Sequence, residues 1–311
     1  MAKINQIEPS LGEEEKEELI KVIDSGWFTE AKKTREFERV FADFVGSKYA
    51  IAVTSGMAAL YLGVKALGIT NDDEVIVPDL TFVASPNAVE MVGGKPILVD
   101  IEQKSLNLDL SKLKKTITKK TRAIMPVDFN GRSTNMKELK EFTDKNDLLL
   151  IEDAAESLGS TVNGKKVGTD ADSAIFSFCG NKVLTTGEGG AIITDSKEIY
   201  EKVKLIRSHG RLDRVSYFNN PQESQYLDLG YNWRMSSITA SLGLSQLNKL
   251  DKIIKMRQEN AQYLSSRLSK HPQIDVPRPP KNYEHIYQMY TIRLKENKLR
   301  KKLQQFLLEK R

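Results

Sequence analysis

Cysteine is almost absent from this sequence, which has a single one, Cys179, among its 311 residues. One cysteine cannot form an internal disulfide, so a disulfide-held fold is excluded and a reducing, cytoplasmic location is expected. Long apolar runs are absent as well: residues 123–127 and 148–151 are only as long as a strand, so we expect no transmembrane helix and no membrane partner. The three histidines are widely separated, and without a Cys/His cluster no metal site is predicted.

The chain also has little excess of charge of either sign, because Lys and Arg are mixed with acids along its whole length and the net charge is only +5. The one dense basic segment is the C-terminal tail, residues 295–311. Apolar residues recur there at helical spacing: Leu299, Leu303, Phe306 and Leu307. This pattern predicts an amphipathic helix with a solvated basic face and no nucleic-acid partner.

What the sequence does contain is an alternation of helical patterns with short apolar strands, which predicts an α/β fold with a largely parallel sheet. Strands are predicted at residues 49–54, 74–77, 95–99, 123–127, 148–152, 173–177 and 190–194. Helices are predicted at residues 13–24, 33–45, 57–67, 85–92, 110–116, 136–145 and 236–268. Residues 1–247 are predicted to form a large domain and residues 248–311 a smaller one, which contains a strand-like stretch at 286–294.

The first segment with chemical potential is the turn from Thr54 to Leu60, where a strand runs into a helix through small residues. Exposed amides at such a turn, together with the positive end of the helix dipole, suit a phosphate. The alternative is a tight turn that needs Gly56 only for its backbone. The sequence leaves both readings open.

The second segment ends a strand with Asp153, at the edge of the sheet where ligands bind in open α/β folds. A carboxylate there could bind a metal, cap a helix or hold a proton on a pyridine nitrogen. Glu156 follows at the spacing of a capping box, which lends support to the cap interpretation. These alternatives stay open at this point.

The third segment, residues 176–190, places Lys182 in a loop between two strands, among small and hydroxylated neighbours. An amine that is partly buried loses its proton more readily and can then attack a carbonyl carbon to form a Schiff base. Ser177 could add a hydroxyl contact to a phosphate. The fourth segment, residues 229–235, is a polar-aromatic cluster that could equally be an ordinary helix start.

Taken in order, these segments resemble the DegT/StrS-type sugar-nucleotide aminotransferases, which are fold-type-I enzymes dependent on pyridoxal 5'-phosphate (PLP). The resemblance runs from about Pro9 to Leu294 and is closest to the perosamine-synthase branch. Its motifs are residues 25–29, 77–84, 152–159, 207–210 and 230–232, together with the Lys182 loop.

This resemblance implies an aspartate-aminotransferase-like fold, with a mostly parallel mixed sheet in the large domain and an α+β small domain. It implies transfer of an amino group from glutamate to a nucleotide-linked keto-deoxysugar, with GDP-4-keto-6-deoxymannose suggested by the perosamine branch. Polysaccharide biosynthesis is the expected context.

The resemblance also implies a role for each matching residue. Lys182 would bond covalently to the cofactor and then move a proton between substrate and cofactor carbons. Asp153 would keep the pyridine nitrogen protonated, Glu156 would lie near the phenolic oxygen, and Phe82 would stack on the ring. The implied phosphate ligands are Gly56, Met57, Ser177 and, from the neighbouring subunit, Asn232. Asn232 therefore implies a homodimer with shared active sites.

The sequence also departs from this family. Met57 stands where threonine is common, and residues 128–131 replace a segment rich in histidine and aromatic residues. Relatives continue for several dozen residues beyond Arg311, so we expect the small domain to be incomplete in this chain. Two other functions follow as alternatives: a catalytically weak or regulatory PLP-binding protein, and a PLP-dependent sugar dehydratase. The dehydratase is disfavoured because that branch has histidine at the position of Lys182.

Overall fold

The computed structural model describes residues 8–211 and 225–310. Its helices are α1 Glu13–Ser25, α2 Lys32–Val45, α3 Gly56–Ala66, α4 Ala84–Met91, α5 Leu110–Thr116, α6 Met136–Lys145, α7 Lys197–Arg207, α8 Ser237–Asn248, α9 Leu250–Leu268 and α10 Lys298–Glu309. Its strands are β1 Tyr49–Val53, β2 Glu74–Pro78, β3 Lys95–Val99, β4 Thr121–Ile124, β5 Leu149–Asp153, β6 Thr161–Val162, β7 Lys165–Lys166, β8 Ser173–Ser177, β9 Gly190–Thr194, β10 Ile274–Asp275, β11 Tyr283–Glu284 and β12 Arg293–Leu294. None of these helices is long and apolar enough to cross a membrane.

A seven-stranded sheet in the order β1-β9-β8-β5-β4-β2-β3 forms the centre of the fold. The neighbouring pairs from β8 to β3 run parallel, whereas β9 is antiparallel to both β8 and β1. Strands β2 and β9 are buried along their whole length, as expected for strands covered on both faces. The predicted α/β fold with a largely parallel sheet is confirmed.

Helices cover both faces of this sheet and bury its apolar side chains. On one face, Phe37 and Phe41 of α2 pack against Phe176 and Phe178 at ring-centroid distances of 5.3 to 5.5 Å. On the other face, the largely buried helix α3 packs with α4 and α7. Because β5 and β8 are parallel, their carboxyl ends meet at one edge of the sheet, and α3 begins beside them.

Helix α7 was not predicted, although its signal is present in the sequence. Ser196 caps it by accepting a hydrogen bond from the Ile199 amide, at 3.3 Å. Ile199, Val203 and Ile206 then recur at helical spacing and are buried. A serine cap before this apolar stripe predicts a helix of this length.

The predicted single helix over residues 236–268 is wrong, because the chain breaks at Lys249 into α8 and α9. The backbone of Lys249 leaves the helical region, with φ −116° and ψ 7°. Its ammonium lies 2.7 Å from Glu15, a carboxylate that is buried in α1. The break therefore coincides with a tertiary ion pair, and not with a proline or a helix-ending glycine.

The C-terminal part follows the prediction only in part. The strand-like stretch at 286–294 contains just β12, which pairs with β10. The basic helix is present as α10, but none of its residues is buried, and Phe306 and Leu307 are exposed. Leu250 and Ile253 of α9 belong to the same apolar cluster as the large sheet, so the boundary at residue 247 stays a prediction.

Candidate active site

Asp153 is the last residue of β5, and its carboxylate is buried at the edge of the sheet where β8 also ends. One oxygen accepts a hydrogen bond of 2.7 Å from the Ser85 hydroxyl, and the other accepts one of 3.2 Å from the Ala155 amide. Burial raises the pKa of Asp153, although the Ser85 hydroxyl and the nearby Lys182 charge oppose that rise. No helix begins at Ala154, so the interpretation of Asp153 as a helix cap is wrong.

Lys182 lies close to Glu156, with Nζ at 3.4 Å from Oε1. The side chain of Lys182 is 13% exposed and that of Glu156 is 21% exposed, so the pair is shielded yet open to a ligand. The other oxygen of Glu156 accepts a hydrogen bond of 2.8 Å from the Asn130 amide. Glu156 is therefore fixed from the Asn130 side, and its first oxygen is left to face the amine.

The turn at Gly56 is built for close approach. Ser55 caps α3 by accepting a hydrogen bond from the Ala58 amide, at 3.1 Å, so the helix begins where the sequence predicted. A Cβ on Gly56 would lie 2.8 Å from the Cβ of Ser177, which ends β8. Gly56 and Ser177 thus face each other at a helix N-terminus, and half-buried Met57 follows immediately.

Phe82 lies in the loop before α4 and is 76% exposed, which leaves its ring free to cover a flat ligand. Its carbonyl accepts a hydrogen bond of 3.2 Å from the Ser85 amide. The Ser85 hydroxyl in turn bonds to Asp153, so one short segment links the aromatic ring to the buried carboxylate. Sequence reasoning missed Ser85, although it directly follows the motif at residues 77–84.

Asn232 is exposed and lies in a bridge opposite Ser208. The following residue, Trp233, accepts a hydrogen bond of 3.1 Å from the Thr54 amide, just before the Gly56 turn. Tyr231 stacks on Trp233 with 4.1 Å between ring centroids, and its hydroxyl is 2.8 Å from that of Tyr61. Tyr231 and Trp233 are packed against each other, whereas Asn232 between them is exposed.

Two further features were not expected from the sequence. Gln288, far along the chain, reaches the loop of Lys182. Behind Asp153, the carboxyls of Glu152 and Asp128 meet in a fully buried pair. Burial raises the pKa of Asp128 to about 6, and burial and the neighbouring Asp128 charge raise the pKa of Glu152.

Comparison with known proteins agrees with this geometry. Residues 9–311 match the DegT/DnrJ/EryC1/StrS aminotransferase family. A GDP-perosamine synthase from Caulobacter vibrioides is 38% identical over 298 residues, which are 95% of this chain and 78% of that protein. A GDP-perosamine synthase from Vibrio cholerae is 39% identical over 286 residues, 92% of this chain and 76% of that protein. The PLP form of Spr1654 from Streptococcus pneumoniae superposes with a TM-score of 0.91 at 27% identity, covering 99% of this chain and 83% of that one.

The fold and site therefore define a fold-type-I, PLP-dependent aminotransferase. The chain belongs to the DegT/DnrJ/EryC1/StrS aminotransferase family and is a sugar aminotransferase. The site fits the cofactor. The space at Gly56, which a Cβ would fill, can admit the phosphate group. The buried carboxylate of Asp153 can pair with a cationic ring nitrogen. The shielded amine of Lys182 and the exposed ring of Phe82 belong to the same site.

Proposed function

We propose that this chain transfers the amino group of glutamate to a nucleotide-linked keto-deoxysugar, with GDP-4-keto-6-deoxymannose as the first candidate. The observation that carries the proposal is the shielded Lys182 amine beside Glu156, next to the buried carboxylate of Asp153. The GDP-perosamine synthases among the relatives support GDP as the nucleotide.

The residues divide the chemistry as follows. PLP, when bound, supplies an electron sink for the electron pair released at the substrate carbon. Lys182 holds the cofactor through its amine and then moves a proton to and from the reacting carbon. Asp153 is positioned to hold a proton on the pyridine nitrogen, and that cation would in turn offset the cost of burying its carboxylate.

Other residues bind and orient. The amides at the start of α3 and the Ser177 hydroxyl would hold the phosphate, aided by the helix dipole. Glu156 lies beside the Lys182 amine and would contact the phenolic oxygen of the cofactor. Phe82 would cover the ring face and exclude water from it.

We also propose a homodimer in which Asn232 reaches the phosphate bound by the partner. Its exposure, and the exposed apolar side chains of Trp27, Phe28 and Leu229, support such an interface. We further propose that residues 1–247 form the large domain and residues 248–311 the small one. We also propose a cytoplasmic location, because the single cysteine suits a reducing compartment.

The test is to supply purified protein with PLP, glutamate and GDP-, UDP- or dTDP-linked keto-sugars, and to measure 2-oxoglutarate and amino-sugar. Glutamate alone should bleach the absorbance band of the lysine-bound cofactor. Absence of that change would favour the alternative of a PLP-binding protein without turnover.

Lys182→Ala should abolish turnover and covalent attachment of PLP, since Lys182 supplies the amine that lies beside Glu156 in the described part of the chain. Turnover is followed as 2-oxoglutarate release, and attachment by borohydride reduction and mass spectrometry. The control is Lys166→Ala, which removes a half-buried lysine on Phe44, away from the active-site contacts described above. Full activity in Lys182→Ala would overturn the proposed mechanism.

A further inference from the structure

The side-chain amide of Gln288 forms a clamp on the backbone at both sides of Lys182. Gln288 is buried, with 7% of its surface exposed. Its Oε1 accepts a hydrogen bond of 3.0 Å from the Val183 amide, and its Nε2 donates one of 2.7 Å to the Asn181 carbonyl. These two partners fix the orientation of the amide, because a flipped side chain would place like groups together.

This clamp matters because the loop around Lys182 has no strand or helix to hold it. The amide of Lys182 donates to the Cys179 carbonyl at 3.0 Å, which closes a turn on the N-terminal side. The two bonds from Gln288 hold the peptide groups that flank Lys182. The direction in which the Lys182 side chain leaves the loop therefore depends on Gln288.

Gln288 is itself held in place. Arg257 of α9 donates to the Gln288 carbonyl at 3.1 Å and to the Tyr287 carbonyl at 3.4 Å. Tyr287 adopts a left-handed backbone conformation with φ +53°. Gly131 lets the backbone of Gln288 pack closely against it, since a Cβ at Gly131 would lie 3.0 Å from the Gln288 backbone nitrogen. These contacts fix the backbone of Gln288, so its side chain meets the Lys182 loop in a fixed position.

The same segment also supports the partner of Lys182. Asn130, whose amide binds Glu156, donates through its side chain to the Thr291 hydroxyl at 2.8 Å. The amide of Met289 lies 3.4 Å from the Asn130 carbonyl, to which it donates. Both members of the 3.4 Å pair between Lys182 and Glu156 are therefore held from residues 288–291.

We propose that Gln288 is a positioning residue for Lys182, whose amide sets the approach of the lysine amine to Glu156 and to the cofactor. The proposal rests on the proposed role of Lys182. Loss of the clamp should slow attachment of PLP and lower kcat while leaving KM for glutamate nearly unchanged, because Gln288 acts on the lysine rather than on the substrate.

The test compares Gln288→Met with the parent enzyme. Methionine keeps the length and volume of the side chain but can neither accept from Val183 nor donate to Asn181. Hydrogen exchange of the cofactor-free protein should show protection of the Val183 amide falling about tenfold, as expected for a lost buried hydrogen bond. Stopped-flow absorbance should show PLP attachment slowing by a similar factor.

Gln246→Met is the matched control. Gln246 is also a buried glutamine with two hydrogen bonds, to the Ser10 carbonyl and to Glu15. It should lower the melting temperature without changing exchange at Val183 or the rate of PLP attachment. If Gln288→Met behaves like this control, the residue is only structural and the proposal is wrong.

A second variant keeps the proposal testable if Gln288→Met does not fold. Gln288→Glu retains an acceptor for the Val183 amide but loses the donor to Asn181. It should retain protection at Val183 and still slow PLP attachment. Unchanged attachment in this variant would overturn the proposal, whereas covalent attachment in Lys182→Ala would instead overturn the proposed function.

Discussion

At the scale of single residues, the contact between Gly56 and Ser177 is the tightest feature of the proposed phosphate site. A Cβ at Gly56 would lie 2.8 Å from the Ser177 Cβ and 2.9 Å from its Oγ. The Ser177 side chain is too short to move aside, so the start of α3 would have to shift away from the end of β8.

We expect Gly56→Ala to lower PLP affinity about tenfold and to destabilise the protein by about 1–3 kcal/mol, the usual cost of overpacking. Absorbance titration with PLP and thermal unfolding measure the two effects. Gly12→Ala is the control, because no heavy atom lies within 4 Å of a Cβ at that position. Wild-type affinity in Gly56→Ala would exclude this turn as the phosphate site.

The residues proposed to carry the chemistry were largely identifiable from the sequence. Lys182, Glu156 and Asp153 are brought together as the motifs implied, and Gly56 meets Ser177. Ser85 could have been found, since it directly follows a motif that was already noted. Gln288 could not, because it lies 105 positions from Val183 and no local pattern marks it.

At the scale of elements, β5 presents two acids of opposite orientation. Side chains alternate along a strand, so Asp153 faces the proposed cofactor site while Glu152 points to the other side. There Glu152 accepts from the Gly168 amide at 3.0 Å, and Asp128 accepts from the Thr134 amide and the Ser157 hydroxyl at 2.8 and 2.9 Å. Glu152 Oε1 is buried and accepts no hydrogen bond from a donor group among the described residues. A proton shared between the carboxyls of Glu152 and Asp128 would satisfy this oxygen.

This pair predicts an unusual pH dependence of stability. The pKa of Asp128 is raised from 3.8 to about 6, so the folded chain keeps a proton that the unfolded chain has already released. The contribution of the pair to stability is therefore largest below the unfolded pKa values and declines as pH rises from about 4 through 6. It continues to decline above pH 6, because the pKa of Glu152 is raised as well.

We expect Glu152→Gln to raise stability at pH 8 by about 1–2 kcal/mol, with much less effect at pH 4, because the amide replaces the shared proton. Urea unfolding at the two pH values measures the difference. Glu141→Gln, which removes an exposed acid from α6, should leave the pH dependence unchanged. A loss of stability at pH 8 in Glu152→Gln would contradict the protonated pair.

At the scale of the whole molecule, the proposed dimer makes the position of Asn232 decisive. If Asn232 serves the partner's site, a heterodimer of Lys182→Ala and Asn232→Ala subunits contains one site with both residues intact. If it serves its own site, no site in the heterodimer is intact.

We expect each variant alone to be inactive or nearly so, and an unfolded-and-refolded equal mixture to regain about a quarter of wild-type activity, since half of the dimers are mixed and each has one intact site. Size-exclusion chromatography with light scattering checks the dimer. An active monomer, or a mixture no more active than its components, would contradict shared sites.

The sequence by itself determined the class of fold, the order of the strands along the chain and the residues proposed for catalysis. Apolar periodicity, turn residues and short motifs are local, so β8 and β9 or the start of α3 could be placed within a residue or so. Only the tertiary structure decided the break at Lys249, the pairing of Glu152 with Asp128 and the clamp of Gln288. Each involves a contact between positions far apart in the chain, which no local sequence pattern marks.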